Sequence, residues 1–257
     1  ASIPHYGVFF LSASTDWYGT VFPESFTLAH YEDGLGHPLV LGSIKNSLIY
    51  ASGATLLDVV LGIAIAWVIV RSKIWGRNIL DALMMLPLAV PGLVLAFGFL
   101  SLSENGGMFS FLIGANGSPA LLLIVAYGVR RLPFVVRAVV SGLEQSNVEL
   151  EEAAMSMGAS PTRAFWRIGL PLVGSSLLAG AILAFAFAML EVSDSLILAQ
   201  QAEHFPVTKA IYALLSTLGN GHEIASALGV WAMVFLGVAI AGAFVLVGRR
   251  GGSLFRF

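Results

Sequence analysis

The chain reads as long apolar runs punctuated by short polar stretches. The first full run, "SLIYASGATLLDVVLGIAIAWVIV" at 47–70, holds one charge in 24 residues. About 20 mostly apolar residues suffice to cross a bilayer as a helix. Runs near 81–100, 119–140, 170–196 and 226–247 repeat the pattern. A shorter piece near the start, "YGVFFL", predicts the tail of a span that was cut short. The chain opens with Ala1 and shows neither the n-region nor the cleavage site of a signal peptide. The expectation is therefore a piece of a longer polypeptide, or a renumbered mature chain. Transmembrane β-barrel strands are alternating segments of about 10 residues, and these runs are continuous and twice that length. The predicted fold is an all-α membrane protein, a six-helix transmembrane bundle with a truncated first helix.

Composition agrees. Hydrophobic residues make up 57% of the chain, charged residues 11%, and mean hydropathy is +0.86. Soluble domains run at about 25% charged, so a soluble fold would lack polar surface to cover its core. There is no cysteine, which leaves the redox compartment open. The net charge of −2 says less than its distribution, and nothing in it points to nucleic acid.

Arg71, Lys73 and Arg77 form one basic cluster; Arg130, Arg131, Arg137, Arg163 and Arg167 a second; Arg249, Arg250 and Arg256 a third. These fall on every second connection or on the span ends beside it, leaving only Lys45 and Lys209 for the alternate loops. Positively charged short loops stay in the cytoplasm. Residues 71–80, 141–169 and 248–257 are thus expected inside, and 12–45, 101–118 and 197–225 outside, with both termini cytoplasmic.

The stretch "SNVELEEAAMSMGASPTRAFWRIGLP", 146–171, stands out as a charged interruption. Ser146 and Glu149 have the S-x-x-E spacing of a capping box. Leu150, Ala153, Ala154 and Met157 then form one apolar helical stripe. Gly158 sits where a left-handed residue stops a helix, and Ser160-Pro161 opens a second one. Such a helix could lie on lipid headgroups, but three acids without Lys or Arg suit an anionic leaflet poorly. A soluble protein partner fits better.

Glu152-Ala153-Ala154, Gly158, Ile168 and Leu170-Pro171 resemble, with every spacing met, the EAA loop of permease subunits of binding-protein-dependent ABC importers. "NSL" at 46–48, "LPLAVPG" at 86–92 and "RRLPFVVRA" ahead of the loop extend the resemblance over about 42–247. It implies a type I importer permease of the bacterial inner membrane, whose 141–171 loop plugs into a cytoplasmic ATPase as a coupling helix. Residues 1–41 would be the truncated span and an outer loop, and 248–257 a cytoplasmic tail. The implied partners are ATPase subunits carrying ATP and Mg, a second permease module and an extracytoplasmic solute-binding protein. The wording of "FAMLEVSDSLILAQ" and "WYGTVFPESFTLAHY" is similar to the ferric-iron, phosphonate, thiamine and polyamine permeases.

The chain is not expected to be an enzyme. No G-x-x-x-x-G-K-[ST] phosphate cradle is present, no cofactor is expected in the chain, and the five histidines are scattered. Four residues and one acidic pair are candidates for the translocation path. Pro87, Pro91 and Gly92 interrupt the second full run, predicting either a bent pore-lining helix or a packing kink. Asp58 is the twelfth of 24 residues in its run; an acid at that depth faces the bundle interior or a cavity, with Arg130 or Arg131 as its partner. Glu191 and Asp194, three apart, would share a helix face at the outer end of the 170–196 run, as an acidic mouth or a solvated helix end. A short outer helix is expected within "PVTKAIYALLSTLG", with Ile211, Leu214, Leu215 and Leu218 on its apolar side. Gly229, Gly237 and Gly242 suit close helix packing, and the sequon at Asn116 carries no weight. An ion-gradient-driven secondary transporter is the alternative. It would usually show inverted repeats and broken helices, and it gives the 146–171 loop no task.

Overall fold

In the computed structural model, residues 3–253 are described except 16, 18, 19, 105, 106, 108, 109, 113–116 and 218; side chains are described as far as residue 242. The expectations resting on Asn116, Leu218, Arg249, Arg250 and Arg256 lie outside the described residues and side chains. The helices in order are α1 (Ile3–Ala13), α2 (Ala29–Gly36), α3 (Pro38–Arg71), α4 (Arg77–Ala89), α5 (Gly92–Ser103), α6 (Ala120–Gln145), α7 (Glu149–Ser156), α8 (Pro161–Ala164), α9 (Leu170–Leu172), α10 (Gly174–Met189), α11 (Ser193–Leu198), α12 (Val207–Leu214) and α13 (Gly221–Ser253). Among the described residues there is no strand, only an isolated bridge between Ser14 and Phe26.

The apolar runs become helices of two kinds. Among the described residues two cross-membrane candidates are unbroken, α3 and the Gly221–Gly242 part of α13. Two more exist only as bent pairs, α4 with α5 and the 161–172 segment with α10. The 119–140 run becomes the 26-residue α6, about 39 Å long at 1.5 Å per residue, but it carries three arginines. Arg130 and Arg131 are its eleventh and twelfth residues, so they lie mid-helix rather than at a span end as the charge pattern suggested. The 81–100 run breaks at Val90–Pro91. Pro87 does not break it; it lies inside the last turn of α4. Proline has no N–H and restricts the residue before it, which accounts for the stop ahead of Pro91.

The chain divides into two compact units. The first comprises Ala1–Ala51, Gly92–Ala126 and Met189–Ala239. Its core packs Val40 with Val207, Ala210 and Leu214 of α12 and with Ile224, Ala225 and Leu228 of α13. The "NSL" residues work here. Asn46 Nδ2 donates to the Glu203 and Phe205 carbonyls at 2.7 and 3.1 Å, and Ser47 Oγ accepts the Val207 N–H at 2.8 Å. Tyr50 Oη adds a bond to the His204 carbonyl. Together they hold the 203–207 loop on α3 and satisfy backbone groups that would otherwise be orphaned. The short helix expected in this region is α12, but Leu215, expected on its apolar side, follows its last residue and is exposed.

The second unit comprises Ser52–Pro91, Tyr127–Ala188 and Ile240–Phe257. Its core joins Ala66 of α3, Val135, Val136, Val139, Val140 and Leu143 of α6, Phe165, Val173 and Ala184. Glycines let these helices approach closely. A Cβ on Gly62 would stand 2.7 Å from Val135 Cγ1, and one on Gly180 2.7 Å from Ala138 Cβ. Small residues serve membrane helix packing in this way, but the expected trio does not. A Cβ on Gly237 or Gly242 would meet nothing within 4 Å, and one on Gly229 only ordinary contact.

Candidate functional site

The segment 146–172 folds as two short helices joined at Gly158. Gly158 has φ +94°, a conformation glycine enters without the clash a Cβ brings. Its N–H bonds the Met155 carbonyl at 2.9 Å, and the Ala159 N–H reaches back to Ala154 at 3.1 Å. These two bonds define a Schellman stop. Ser160 caps α8 by accepting the Arg163 N–H, with Pro161 at the first helical position. Both expectations for this end hold.

The expected capping box is not formed. Ser146 Oγ donates to the Leu143 carbonyl instead, and α7 is capped from Asn147, whose Oδ1 accepts the Glu149 N–H at 2.9 Å. Past α8 the chain makes one π turn over Phe165–Gly169, the Leu170 N–H bonding the Phe165 carbonyl five residues back. Pro171 follows at once. The missing N–H of Pro171 would have been the helical partner of the Arg167 carbonyl, and the slipped register fits that loss. The 161–172 segment then turns into α10 through a bend of 71°.

Around α7 the side chains are sharply sorted. Leu150 is 48% and Met157 85% exposed, and Glu152 and Ala153 are also at the surface. Ala154 is half-buried and Glu151 is buried. Further along, Ile168 and Leu170 are half-buried and Pro171 exposed. Glu151 Oε1 accepts from Arg71 Nε and Nη2 at 3.1 and 2.9 Å, and the same Nη2 donates to Ser146 Oγ at 2.9 Å. Gly169 lies against this pair, since a Cβ there would stand 2.8 Å from Glu151 Oε1. Arg71, Glu151 and Gly169 were not singled out from the sequence. The available signal was the position of Glu151 beside Ala154 on the flank of the apolar stripe, with a cation as the last residue of the first full span.

Asp58 is 1% exposed, as its depth predicted. The expected ion pair is not formed: neither carboxylate oxygen has a hydrogen-bond partner among the described residues. Arg131 is the charge that acts on it, yet its Nη2 donates to the Phe187 carbonyl at 3.2 Å and its guanidinium lies 5.8 Å from the Phe187 ring centre. Gly128 keeps that wall open; a Cβ there would stand 3.2 Å from Asp58 Oδ1.

Glu191 and Asp194 depart from the shared-face expectation. Helix α10 ends at Met189 and α11 begins at Ser193, so a break separates them, and both are buried rather than solvated. Glu191 Oε1 accepts the N–H groups of Ser193 and Asp194 at 3.0 and 3.4 Å, capping α11. Its carbonyl accepts from Thr208 at 2.6 Å. Beside them Lys209 donates to the Leu196 carbonyl at 2.8 Å, and burial lowers its pKa.

An all-helical chain with broken apolar spans and a two-helix loop that shows its apolar side is the architecture of an importer permease. Solved structures agree on the fold. A bacterial ABC transporter for the import of the acidic polysaccharide alginate superposes with a TM-score of 0.72 over 96% of this chain and 88% of that one, at 17% identity. The MetNI methionine ABC transporter gives 0.66 over 82% and 95%, at 14% identity.

The chain belongs to the family of binding-protein-dependent transport system inner membrane components, whose pattern it matches over residues 58–251. It is 37% identical over 161 residues to a sulfate transport system permease of Salmonella typhimurium, covering 61% of this chain and 58% of that protein. It is 32% identical to a ferric transport system permease of Actinobacillus pleuropneumoniae, over 68% and 27%, and 30% identical to a molybdate/tungstate permease of Pyrococcus furiosus, over 73% and 70%. The chain thus spans less than two thirds of the sulfate and ferric relatives.

Proposed function

We propose that this chain is the transmembrane permease subunit of an ATP-driven importer, forming part of the path for a solute delivered by an extracytoplasmic binding protein. The observation that carries this is the sorted surface of α7. Leu150, Ala153 and Met157 stand exposed on a helix held in place from behind by the partly buried Arg71–Glu151 ion pair. Scattered surface apolar residues mean little, but a contiguous apolar face rimmed by charge marks an interaction site. Helix-in-groove docking uses such i, i+3, i+7 anchors. The partner is an ATPase subunit, because the chain has no phosphate cradle of its own. Loops 71–80 and 141–169 and the C-terminus lie on its side of the membrane.

Asp58 and the break at Pro91–Gly92 belong to the translocation path in this reading. A buried acid within a span is costly and is retained where it serves a path or a switch. Glu191 already has a task in capping α11.

The substrate we infer is a small inorganic oxyanion of the sulfate or molybdate type, on the strength of the relatives at 37% and 30% identity. Ferric iron, also expected from the sequence, is the second reading, favoured by the ferric relative that matches 68% of the chain. Uptake of labelled sulfate by the intact complex, with molybdate and ferric iron as competitors, tests both. Inhibition by molybdate alone supports the oxyanion; uptake of iron and not sulfate would replace it.

A further inference from the structure

The Arg71–Glu151 pair, with Glu151 buried and Arg71 partly so, does more than its contribution to stability requires. Taking two charges out of water is expensive, and such pairs are often no more stabilising than apolar residues of the same size. What the pair does supply is direction. Arg71 Nε and Nη2 converge on one oxygen of Glu151, and the same Nη2 also donates to Ser146 Oγ. Arg71 is the last residue of α3 and Glu151 lies in the first turn of α7. Each charge therefore sits at the helix end whose dipole favours it. Gly169 closes the third side, where a methyl group would collide with the carboxylate. Helix α7 is thus bolted to the end of an unbroken helix of 34 residues, about 51 Å long. That helix carries Asp58 about 20 Å from the bolt.

We propose that Arg71 and Glu151 are positioning residues that transmit movement of α7 to α3. The exposed α7 face receives the ATPase, and the Arg71–Glu151–Ser146 link, seated on Gly169, makes α3 follow it. This rests on the permease reading above and goes beyond the loop's resemblance, since the residues concerned are outside the EAA, Gly158 and Ile168-Leu170-Pro171 positions. Breaking the link leaves the docking face intact and lets α7 move without α3.

The test uses the whole complex of permease, ATPase and binding protein in proteoliposomes, comparing wild type with Glu151→Gln, Arg71→Lys and Gly169→Ala. The quantity read is solute transported per ATP hydrolysed, for complexes that assemble. A purely structural pair would lower the amount of complex and leave that ratio alone. The expected result is a ratio down about tenfold in Glu151→Gln, within the range over which coupling residues act. Hydrolysis in that variant should no longer respond to loaded binding protein. Arg71→Lys, which keeps the charge and loses the fork, and Gly169→Ala should fall between it and wild type. Should Glu151→Gln fail to assemble, the other two variants decide. An unchanged ratio in them overturns the proposal.

A second readout separates this proposal from the permease reading. The chain has no cysteine, so spin labels placed at the exposed Lys73, two residues past the end of α3, and at Ser156, the last residue of α7, report the separation of those two helix ends. A dipolar spectrum that broadens or shifts in Gly169→Ala and Glu151→Gln supports the link even if the wild-type complex proves not to need ATP. Identical spectra in all variants would overturn it.

Discussion

Two segments of this chain, 146–172 and 189–214, are built from the same parts and finish differently. Each follows a long helix, each is a pair of short helices with a sharp break, and each is organised by one buried glutamate. Glu151 reaches across to Arg71, 80 residues away, while Glu191 turns onto the N–H groups of the next helix. The apolar side of α12 is hidden, with Val207, Ala210 and Leu214 in the core. The apolar side of α7 is open, with Leu150, Ala153 and Met157 at the surface. The 189–214 segment completes its packing within the chain. The 146–172 segment holds an unfinished face in a fixed position, as a docking element must.

One substitution made in both segments exposes the contrast most strongly. Ala210→Glu places a charge at a site with no exposed surface, and an unpaired buried charge belongs to the few changes costing about 4 kcal/mol or more. The folded permease should vanish from the membrane fraction. Ala153→Glu changes an exposed helical position, where stability shifts by about 0.5 kcal/mol at most. Membrane content should stay normal while the ATPase no longer co-purifies. Equal loss of membrane protein in both variants would erase the distinction drawn here.

Next in size is Glu191→Ala. It strips the cap from α11 and leaves buried N–H groups without their acceptor, a cost of about 1–3 kcal/mol. Hydrogen exchange should speed up across 193–198 while α7 keeps its wild-type protection. Exchange unchanged at 193–198 would show that the glutamate is not the organiser.

Gly158→Val should act more locally. No atom lies within 4 Å of an added Cβ, so the strain is that of φ +94° alone, about 1–2 kcal/mol for a non-glycine residue and more for a β-branched one. Uptake should fall severalfold at normal membrane content; normal uptake would show that the stop at Gly158 does not matter for coupling. The smallest effect belongs to Gly237→Ala, which meets open space in α13 and should leave thermal stability within error. Gly62→Ala, pressed against Val135, should lower it measurably.

Which features the sequence disclosed follows from their range. The stop at Gly158, the Ser160-Pro161 start and helix α12 depend on residues within one or two turns, and spacing reveals them. The broken 81–100 span announces itself through Pro91-Gly92. The break at 190–192 does not, since "LEV" contains neither proline nor glycine. It forms because Glu191 caps a new helix while Thr208, from α12, takes its carbonyl. Spacing points to Glu152, and the role of Glu151 shows only in its contact with Arg71, 80 residues away. Asp58 was correctly placed in the interior, but Arg131 chose the carbonyl and ring of Phe187, a competition invisible without the fold. The glycines were misjudged for the same reason. Gly62, Gly128, Gly142 and Gly180 matter because of what stands opposite them.

The central claim, that ATP hydrolysis on a partner drives this membrane subunit through α7, is tested most directly by uptake into proteoliposomes. They would hold the permease with its ATPase and binding protein, assayed with and without ATP and again with ion gradients collapsed. The account predicts uptake that requires ATP, survives loss of the gradients and disappears in Ala153→Glu. Uptake driven by a gradient without ATP, or undiminished in that variant, would contradict it.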